Sequence, residues 1–383
     1  MVSRRQFLKT GLALSLAGLS FSRHALADQK AIQARLEALL QPAIDAGDFP
    51  GCVVHLGNSR EVVFEQAWGE RQVEPGVEAM TVDTIFDLAS LTKPISTATS
   101  IMRLVQDGRV DVDATVASLW PEFGVQGKEV LTVRDLLTHQ SGLIADNALS
   151  DYFDGPEKAF DRIAALKLIA LPRTKMIYSD VNFLVLGKLV SLVSGQPLEV
   201  FFRESVAEPL GLKDTGYRPD SRLQPRIAPT AKQEGVWLRG QVHDPRAARL
   251  GGVAGHAGLF ATAADLGVYA RDVMTTLQSG KTGLFQPQVA QAMIAPQQIP
   301  SGRTNDQGEP QMVTRGLGWD IQSGFSRNRP ANASEESFGH TGFTGTSIWI
   351  DPKNDRYAIL LASRLHPDNR GAIHPLSAKI GLE

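Results

Sequence analysis

The chain has 383 residues, of which 43% are hydrophobic and 21% charged, and its formal net charge is -2. These values are typical of a soluble globular protein, long enough for two domains or for one large domain with an insertion. The charge excludes the basic surplus that phosphate binding requires, so we expect no nucleic-acid partner, and the single cysteine, Cys52, excludes an internal disulfide and a cysteine-based zinc site.

The N-terminus has the pattern of an export signal. Arg4 and Arg5 belong to a charged stretch that precedes an apolar segment, Gly11–Phe21, and an Ala-x-Ala cleavage pattern follows. The apolar segment is too short to span a bilayer as a mature helix, and the paired arginines resemble a twin-arginine signal. We predict a twin-arginine signal peptide over 1–27, passage through the twin-arginine export machinery, and a mature protein that is periplasmic or secreted without a membrane span. A signal that is retained as an anchor is the alternative.

The predicted elements place strands at both ends of the chain and helices between them. Apolar residues recur at helical spacing from Ala31 to Asp45. Two β-rich runs, Cys52–Leu56 and Glu61–Trp68, predict a hairpin. A helix should begin near Pro94, because an interior proline would remove a backbone hydrogen bond. Helices and loops then run over about 110–300, with an exposed loop at Asn305–Gln311. The tail returns to strands at Gly316–Ser323, Glu336–Thr341, Thr346–Asp351 and Arg356–Ser363.

Ser90 and Lys93 have the spacing of a nucleophile and its base. A Ser-x-x-Lys match is common, since about one is expected by chance in a chain of this length. These two residues, however, lie at the start of the predicted helix, where unpaired backbone N–H groups point. Lys93 acts as a base only when it is neutral, and lowering its pKa to about 7 takes about 4 to 5 kcal/mol. A plain helix N-cap is the alternative role for Ser90.

Two further motifs follow in order, Tyr178-Ser179-Asp180 before an apolar helix and His340-Thr341-Gly342 before a glycine-rich turn. With Ser90-x-x-Lys93, they resemble the serine β-lactamase and penicillin-binding-protein superfamily, in its branch of class C β-lactamases and D,D-peptidases (peptidase family S12). The resemblance covers about residues 31–365. The stretches "VHDP…GGVAGHAGLF" and "FGHTGFTGTSIWIDP" are most similar to the penicillin-binding-protein-4B-like subgroup of cell-wall carboxypeptidases and muramyl-peptide amidases. Further stretches similar to family landmarks are "LTVRDLLTHQSGL" (131–143), "GHAGLFATAADL" (255–266) and "GLGW" (316–319).

The resemblance implies a β-lactamase/transpeptidase-like α/β fold. Its antiparallel sheet would be built from both chain ends and flanked by helices, with a mainly helical subdomain inserted. We expect one hydrolase domain over 28–383, its α/β part at about 28–100 and 310–383 and its helical part at about 101–309.

The resemblance also implies roles for individual residues, with no metal and no organic cofactor. Ser90 would be the nucleophile, Lys93 its activating base and Tyr178 the proton shuttle. The oxyanion would be held by the backbone N–H groups of Ser90 and Phe343. Residues expected to line the substrate site are His340, Thr341, Gly342, Phe343 and Asp180.

Two residues depart from the common family pattern. Asp180 replaces an asparagine, so an amide that donates and accepts becomes a carboxylate that only accepts. It would keep Lys93 charged, orient a cationic substrate group, or only cap the following helix. His340 replaces a lysine, and a neutral imidazole attracts a substrate carboxylate less strongly. Tyr178 and His340 could also be structural.

Three other polar residues, His243, Asp244 and His256, suggest a metal site at first sight. They lack helical ligand spacing, so we expect structural hydrogen bonds there instead.

The leading hypothesis is an exported serine hydrolase that forms an acyl-enzyme at Ser90, with D-alanyl-D-alanine carboxypeptidase activity on cell-wall peptides. An esterase, a weak class C-like β-lactamase and a muramyl-peptide amidase remain open within the same mechanism. The alternative of another class is a penicillin- or muropeptide-binding sensor without turnover. Asp180 favours it, because a carboxylate beside Lys93 would hold the lysine charged.

Overall fold

The computed structural model describes residues 28–380 apart from 369, 370 and 372. The predicted signal peptide, 1–27, lies outside the described residues. Within the described part, no single helix is long and apolar enough to cross a membrane. One pair of consecutive helical segments, Asp180–Ser194 and Leu198–Leu210, is long and apolar enough when taken together, but the two segments are bent by 75° relative to each other.

The described strands form one large sheet and two small ones. They are β1 (Gly51–Gly57), β2 (Val62–Gln72), β3 (Glu78–Ala79), β4 (Phe86–Asp87), β5 (Gly216–Tyr217), β6 (Lys232–Gln233), β7 (Val236–Trp237), β8 (Leu259–Ala261), β9 (Gln297–Thr304), β10 (Pro310–Arg315), β11 (Asp320–Gln322), β12 (Phe338–Gly342), β13 (Thr346–Asp351) and β14 (Arg356–Ala362).

The large sheet is antiparallel and takes its strands from both chain ends, in the order β3-β2-β1-β14-β13-β12-β11-β10-β9. This arrangement confirms the predicted fold and the β1–β2 hairpin. Strands β4, β8 and β5 form a second sheet at the level of the helical region, and β6 pairs with β7. Strand β4 leads directly into the segment of Ser90.

Helices cover both faces of the large sheet. They are α1 (28–45), α2 (Thr99–Gln106), α3 (Val116–Leu119), α4 (Val133–Leu137), α5 (Pro156–Ala164), α6 (Asp180–Ser194), α7 (Leu198–Phe202), α8 (Glu208–Leu210), α9 (Pro245–Arg249), α10 (Ala263–Ser279), α11 (Pro287–Ile294) and α12 (His374–Ile380).

Side-chain alternation along the central strands divides the core into two layers. Val53, Ile348 and Ile359 belong to the cluster on the side of α10 and the helical region, whereas Val54 and Leu360 belong to the cluster under α1. The sheet is therefore fully buried at its centre, and the functional residues lie where β12 faces the helical region.

The segment 297–315 differs from the sequence-based expectation. It forms the β9–β10 hairpin, and only the residues between Thr304 and Pro310 make the connecting loop. Strand β9 is a mostly exposed edge strand with proline and glycine in it, so it carries no alternation of apolar residues that could predict a strand. The division into an α/β part and a helical part stays a prediction. Its expected boundary near 310 falls inside this hairpin.

Candidate active site

Ser90 lies on a tight turn between β4 and the helical region. The 3-10 turn Ala89–Leu91 is followed by a wide helical turn, Lys93–Ala98, that runs into α2. Ala89 has a φ of 45°, a left-handed conformation that costs a non-glycine residue about 1–3 kcal/mol. The buried Asp87 supports this turn, because one of its carboxylate oxygens accepts the Ala89 N–H at 2.9 Å and the other accepts the His243 N–H at 2.7 Å. The strained turn places Ser90 at the edge of a cavity.

Lys93 lies beneath Ser90 and is completely buried. Its Nζ donates to Ser90 Oγ at 2.9 Å and to the carbonyl of His256 at 3.2 Å. The same Nζ lies 2.7 Å from Oδ1 of Asp180. The structure thus brings three predicted site residues, Ser90, Lys93 and Asp180, into one contact network.

The charge state of Lys93 depends on its neighbours. Burial by itself would lower the pKa of Lys93, but the Asp180 carboxylate and the Tyr178 hydroxyl outweigh burial and raise this pKa above its ordinary value. Burial would likewise raise the pKa of Asp180, yet Lys93 and His256 hold it below its ordinary value. The resting site therefore contains a lysine ammonium paired with an aspartate carboxylate.

Asp180 is the first residue of α6 but does not cap it. The N-cap is Ser179, whose Oγ accepts the N–H of Asn182 at 3.2 Å. The carboxylate of Asp180 is consequently available to Lys93, and the helix N-terminus favours its negative charge.

Tyr178 is held in a stack of three rings. The buried His139 lies on one side, with centroids 4.5 Å apart, and Phe325 stacks on it at 4.6 Å and 27°. Lys93 Nζ lies 5.1 Å from the centroid of the tyrosine ring. Sequence reasoning missed Phe325, which comes from a loop without a motif.

His340 lies on β12, with its ring 6.1 Å from that of Tyr178. Its Nδ1 lies 2.8 Å from the carbonyl oxygen of Thr341. Burial, followed by the charges of Arg315 and Lys93, keeps the pKa of His340 well below its ordinary value. The imidazole is therefore neutral at physiological pH, as its predicted site role assumed.

The turn after β12 packs directly against the segment that precedes Ser90. Thr344 and Thr346 donate their hydroxyls to the carbonyls of Asp87 and Leu88, at 2.7 and 3.1 Å. A Cβ on Gly342 would come within 2.3 Å of the Leu88 carbonyl oxygen. Only glycine fits this approach, which fixes the strand end relative to the serine.

A cavity of about 340 Å³ opens at Ser90. Ser90, Tyr178, Asp180 and Phe343 all line this cavity. Lys93 lies beneath the cavity. His340, Thr341 and Gly342 belong to the adjoining strand β12. The oxyanion role of the Ser90 and Phe343 N–H groups stays a prediction. The lining residues are Ala89, Ser90, Ala145, Asp146, Tyr178, Asp180, His243, Asp244, His256, Ala257 and Phe343.

In the wall of the cavity, His256 pairs with Asp244 through Nε2 and Oδ1 at 2.9 Å. Asp244 also caps α9, and it raises the pKa of His256 against the opposing effect of burial. Potential ligand atoms of Asp180, Asp244 and His256 lie within 4.8 Å of one another. The Asp180 carboxylate lies against Lys93, and the Asp244 carboxylate lies against His256. His243 does not join them, since its ring stacks on Phe343 at 5.6 Å. The structural role that the sequence favoured for these residues stays a prediction.

Comparisons with known proteins give a family and a set of relatives. Residues 36–382 match the model of the Beta-lactamase family. A protein of Salmonella gallinarum (strain 287/91 / NCTC 13346), named "Putative D-alanyl-D-alanine carboxypeptidase", is 30% identical over 369 residues, covering 87% of this chain and 82% of that protein.

Solved structures share the fold. The hydrolase EstCE1, described as having promiscuous acyltransferase activity, has a TM-score of 0.72 at 24% identity and covers 93% of this chain and 100% of its own. A penicillin-binding protein homologue from Caulobacter crescentus has a TM-score of 0.68 at 24% identity, covering 86% and 91%. A mutant class C beta-lactamase has a TM-score of 0.72 at 17% identity, covering 92% and 97%. The narrower penicillin-binding-protein-4B-like subgroup stays a prediction.

Proposed function

The chain belongs to the beta-lactamase family, and we propose that it is an exported serine hydrolase that cleaves amide bonds of cell-wall peptides through an acyl-enzyme at Ser90. The contact that supports this proposal best is the hydrogen bond of 2.9 Å between Lys93 Nζ and Ser90 Oγ, at the edge of a cavity that Tyr178 also lines. A nucleophile in reach of a base, with a third group nearby, is the arrangement that covalent catalysis requires.

In the proposed mechanism, Ser90 Oγ attacks the substrate carbonyl and its proton passes to neutral Lys93. Tyr178 then carries a proton to the leaving group, and water later releases the acyl group. Because Asp180 favours the ammonium form of Lys93, only a small share of the enzyme is competent at neutral pH. Turnover should therefore rise as the pH rises towards the pKa of Lys93.

The choice of a carboxypeptidase rests on the named relative at 30% identity. An esterase is the second candidate, because two exposed aromatic rings beside the site, Phe325 and Phe343, offer an apolar surface to an ester substrate. A weak β-lactamase and a muramyl-peptide amidase would use the same residues. The Lys93–Asp180 pair is the observation that favours a sensor without turnover. Export by the twin-arginine route stays a prediction.

The test uses the mature protein, residues 28–383, with Ser90→Ala. The matched control is Ser150→Ala, at an exposed residue of the short 3-10 helix Leu149–Tyr152. A fluorophosphonate should label the wild type and Ser150→Ala but not Ser90→Ala. Release of D-alanine from a D-Ala-D-Ala peptide that depends on Ser90 supports the carboxypeptidase. Turnover of esters alone supports the esterase, and one equivalent of product without a steady state supports the sensor. Labelling that survives Ser90→Ala removes Ser90 as the nucleophile.

A further inference from the structure

Phe325 is an aromatic side chain beside the site, and it has no role in the proposed mechanism. It lies in the loop after β11, and 48% of it is exposed. One side of its ring stacks on Tyr178, which itself rests on the buried His139. The three rings therefore form a column that runs from the core, through the proposed proton shuttle, to the surface.

The loop that carries Phe325 is held in place by hydrogen bonds. The N–H of Phe325 donates to Ser323 Oγ at 3.0 Å, and Ser326 Oγ donates to Asp320 on β11 at 2.6 Å. The buried Asn328 donates its amide to the carbonyl of His340 on β12 at 3.1 Å. The position of the exposed ring is thus fixed relative to the strand that borders the site.

We propose that the exposed edge of Phe325 beside Tyr178 is a leaving-group subsite that favours aromatic alcohols or amines. The inference rests on the proposed function, in which Tyr178 protonates the leaving group. A tyrosine hydroxyl that delivers this proton must lie within hydrogen-bond distance of the departing oxygen or nitrogen. The departing group therefore lies beside the Tyr178 ring, on which Phe325 is stacked.

The reaction itself is an ordinary acyl transfer. The bond between Ser90 Oγ and the acyl carbon forms while the bond from that carbon to the leaving oxygen breaks. The serine proton passes by Lys93 and Tyr178 to the departing alkoxide, which leaves as an alcohol. Phe325 takes no part in these bond changes. Its edge contacts the flat leaving group, and such an aromatic contact favours the aromatic member of a substrate pair by about 3- to 10-fold.

The test compares benzyl, cyclohexylmethyl and ethyl butyrate, which share one acyl group. The ratio of kcat/KM for the benzyl ester to that for the ethyl ester is measured for wild type, Phe325→Ala and Phe325→Tyr. Phe153→Ala is the matched control, because Phe153 is also an exposed phenylalanine but lies against Arg249 rather than against Tyr178. Thermal unfolding checks that each variant is folded, and Phe325→Leu replaces the alanine variant if that one is not.

We expect the wild type to prefer the benzyl ester over both others. Phe325→Ala should lower the benzyl-to-ethyl ratio by about 3- to 10-fold, while Phe325→Tyr and Phe153→Ala keep it. An equal preference for the cyclohexylmethyl ester, or a ratio unchanged in Phe325→Ala, overturns the subsite and leaves the serine hydrolase standing. If none of the three esters shows turnover that depends on Ser90, the subsite fails, and if no peptide does either, the proposed function fails with it.

Discussion

Replacement of Asp180 with asparagine removes the carboxylate that lies 2.7 Å from Lys93 Nζ and leaves the side-chain size unchanged. Two unit charges at this separation attract each other by about 6 kcal/mol at an effective dielectric constant of about 20, which corresponds to about 4 to 5 pKa units. The Asp180 side chain is 22% exposed, so water screens part of this energy, and the amide dipole of asparagine restores another part. We expect the pKa of Lys93 to fall by about 2 units.

The sign of the effect on activity follows from the proposed role of Lys93. A lower pKa leaves more neutral lysine at any given pH, so the acid limb of the profile of kcat/KM against pH should move about 2 units downwards. At a pH below the pKa of Lys93 in both proteins, kcat/KM of the variant should exceed that of the wild type by up to about 100-fold. Ser90 labelling by a fluorophosphonate should accelerate in parallel.

The assay measures kcat/KM for a benzyl ester between pH 5 and 10.5, with the spontaneous hydrolysis subtracted. Asp146→Asn is the matched control, because Asp146 lines the same cavity but pairs with Arg246 at 3.5 Å rather than with Lys93. Its acid limb should stay in place. A limb that is unmoved in Asp180→Asn, or displaced to higher pH, refutes the role of neutral Lys93 as the base.

Three further predictions concern residues around the site. Tyr178→Phe keeps the ring but removes the hydroxyl, so kcat for an alkyl ester should fall by about 100- to 10,000-fold. The loss should be much smaller for a p-nitrophenyl ester, because its leaving group needs no proton. Equal losses of kcat for the two esters contradict the role of Tyr178 as proton shuttle. Asn328→Leu removes the donor to the His340 carbonyl and should lower the free energy of unfolding in urea by about 1–3 kcal/mol; an unchanged midpoint contradicts this. His366 accepts the Val73 N–H at 3.0 Å, and burial lowers its pKa to about 4. The unfolded chain therefore binds more protons below pH about 6.5, and wild-type stability should fall between there and pH 4, less so in His366→Asn.

Much of the fold follows from local sequence patterns. Strand β13 occupies Thr346–Asp351 as predicted, and all six of its residues are buried at the centre of the sheet. The predicted helix from Ala31 to Asp45 and the β1–β2 hairpin are likewise present. The ordered motifs at Ser90, Tyr178 and His340 also meet in space, although up to 250 positions separate them.

The rest of the site depends on contacts that carry no local signal. The edge hairpin β9–β10 is too polar to show strand alternation. Phe325 and the pair of Asp244 with His256 come from loops, and their partners are chosen only when the chain has folded. One sign was present for Asp244, since the sequence Asp244-Pro245 is typical of a helix N-cap and first turn.

Asp180 shows how a local question is settled by neighbouring residues. The sequence left three roles open for it: a cap for α6, a partner for Lys93, or a group that orients a cationic substrate. Ser179 takes the cap, so the carboxylate is left for Lys93, and the positive end of α6 stabilises its charge. The same pair that secures Lys93 beneath the serine also opposes its neutral form. A substrate that weakens the Lys93–Asp180 pair on binding would therefore raise the share of neutral Lys93. A ligand that leaves the pair intact would make the protein a sensor instead.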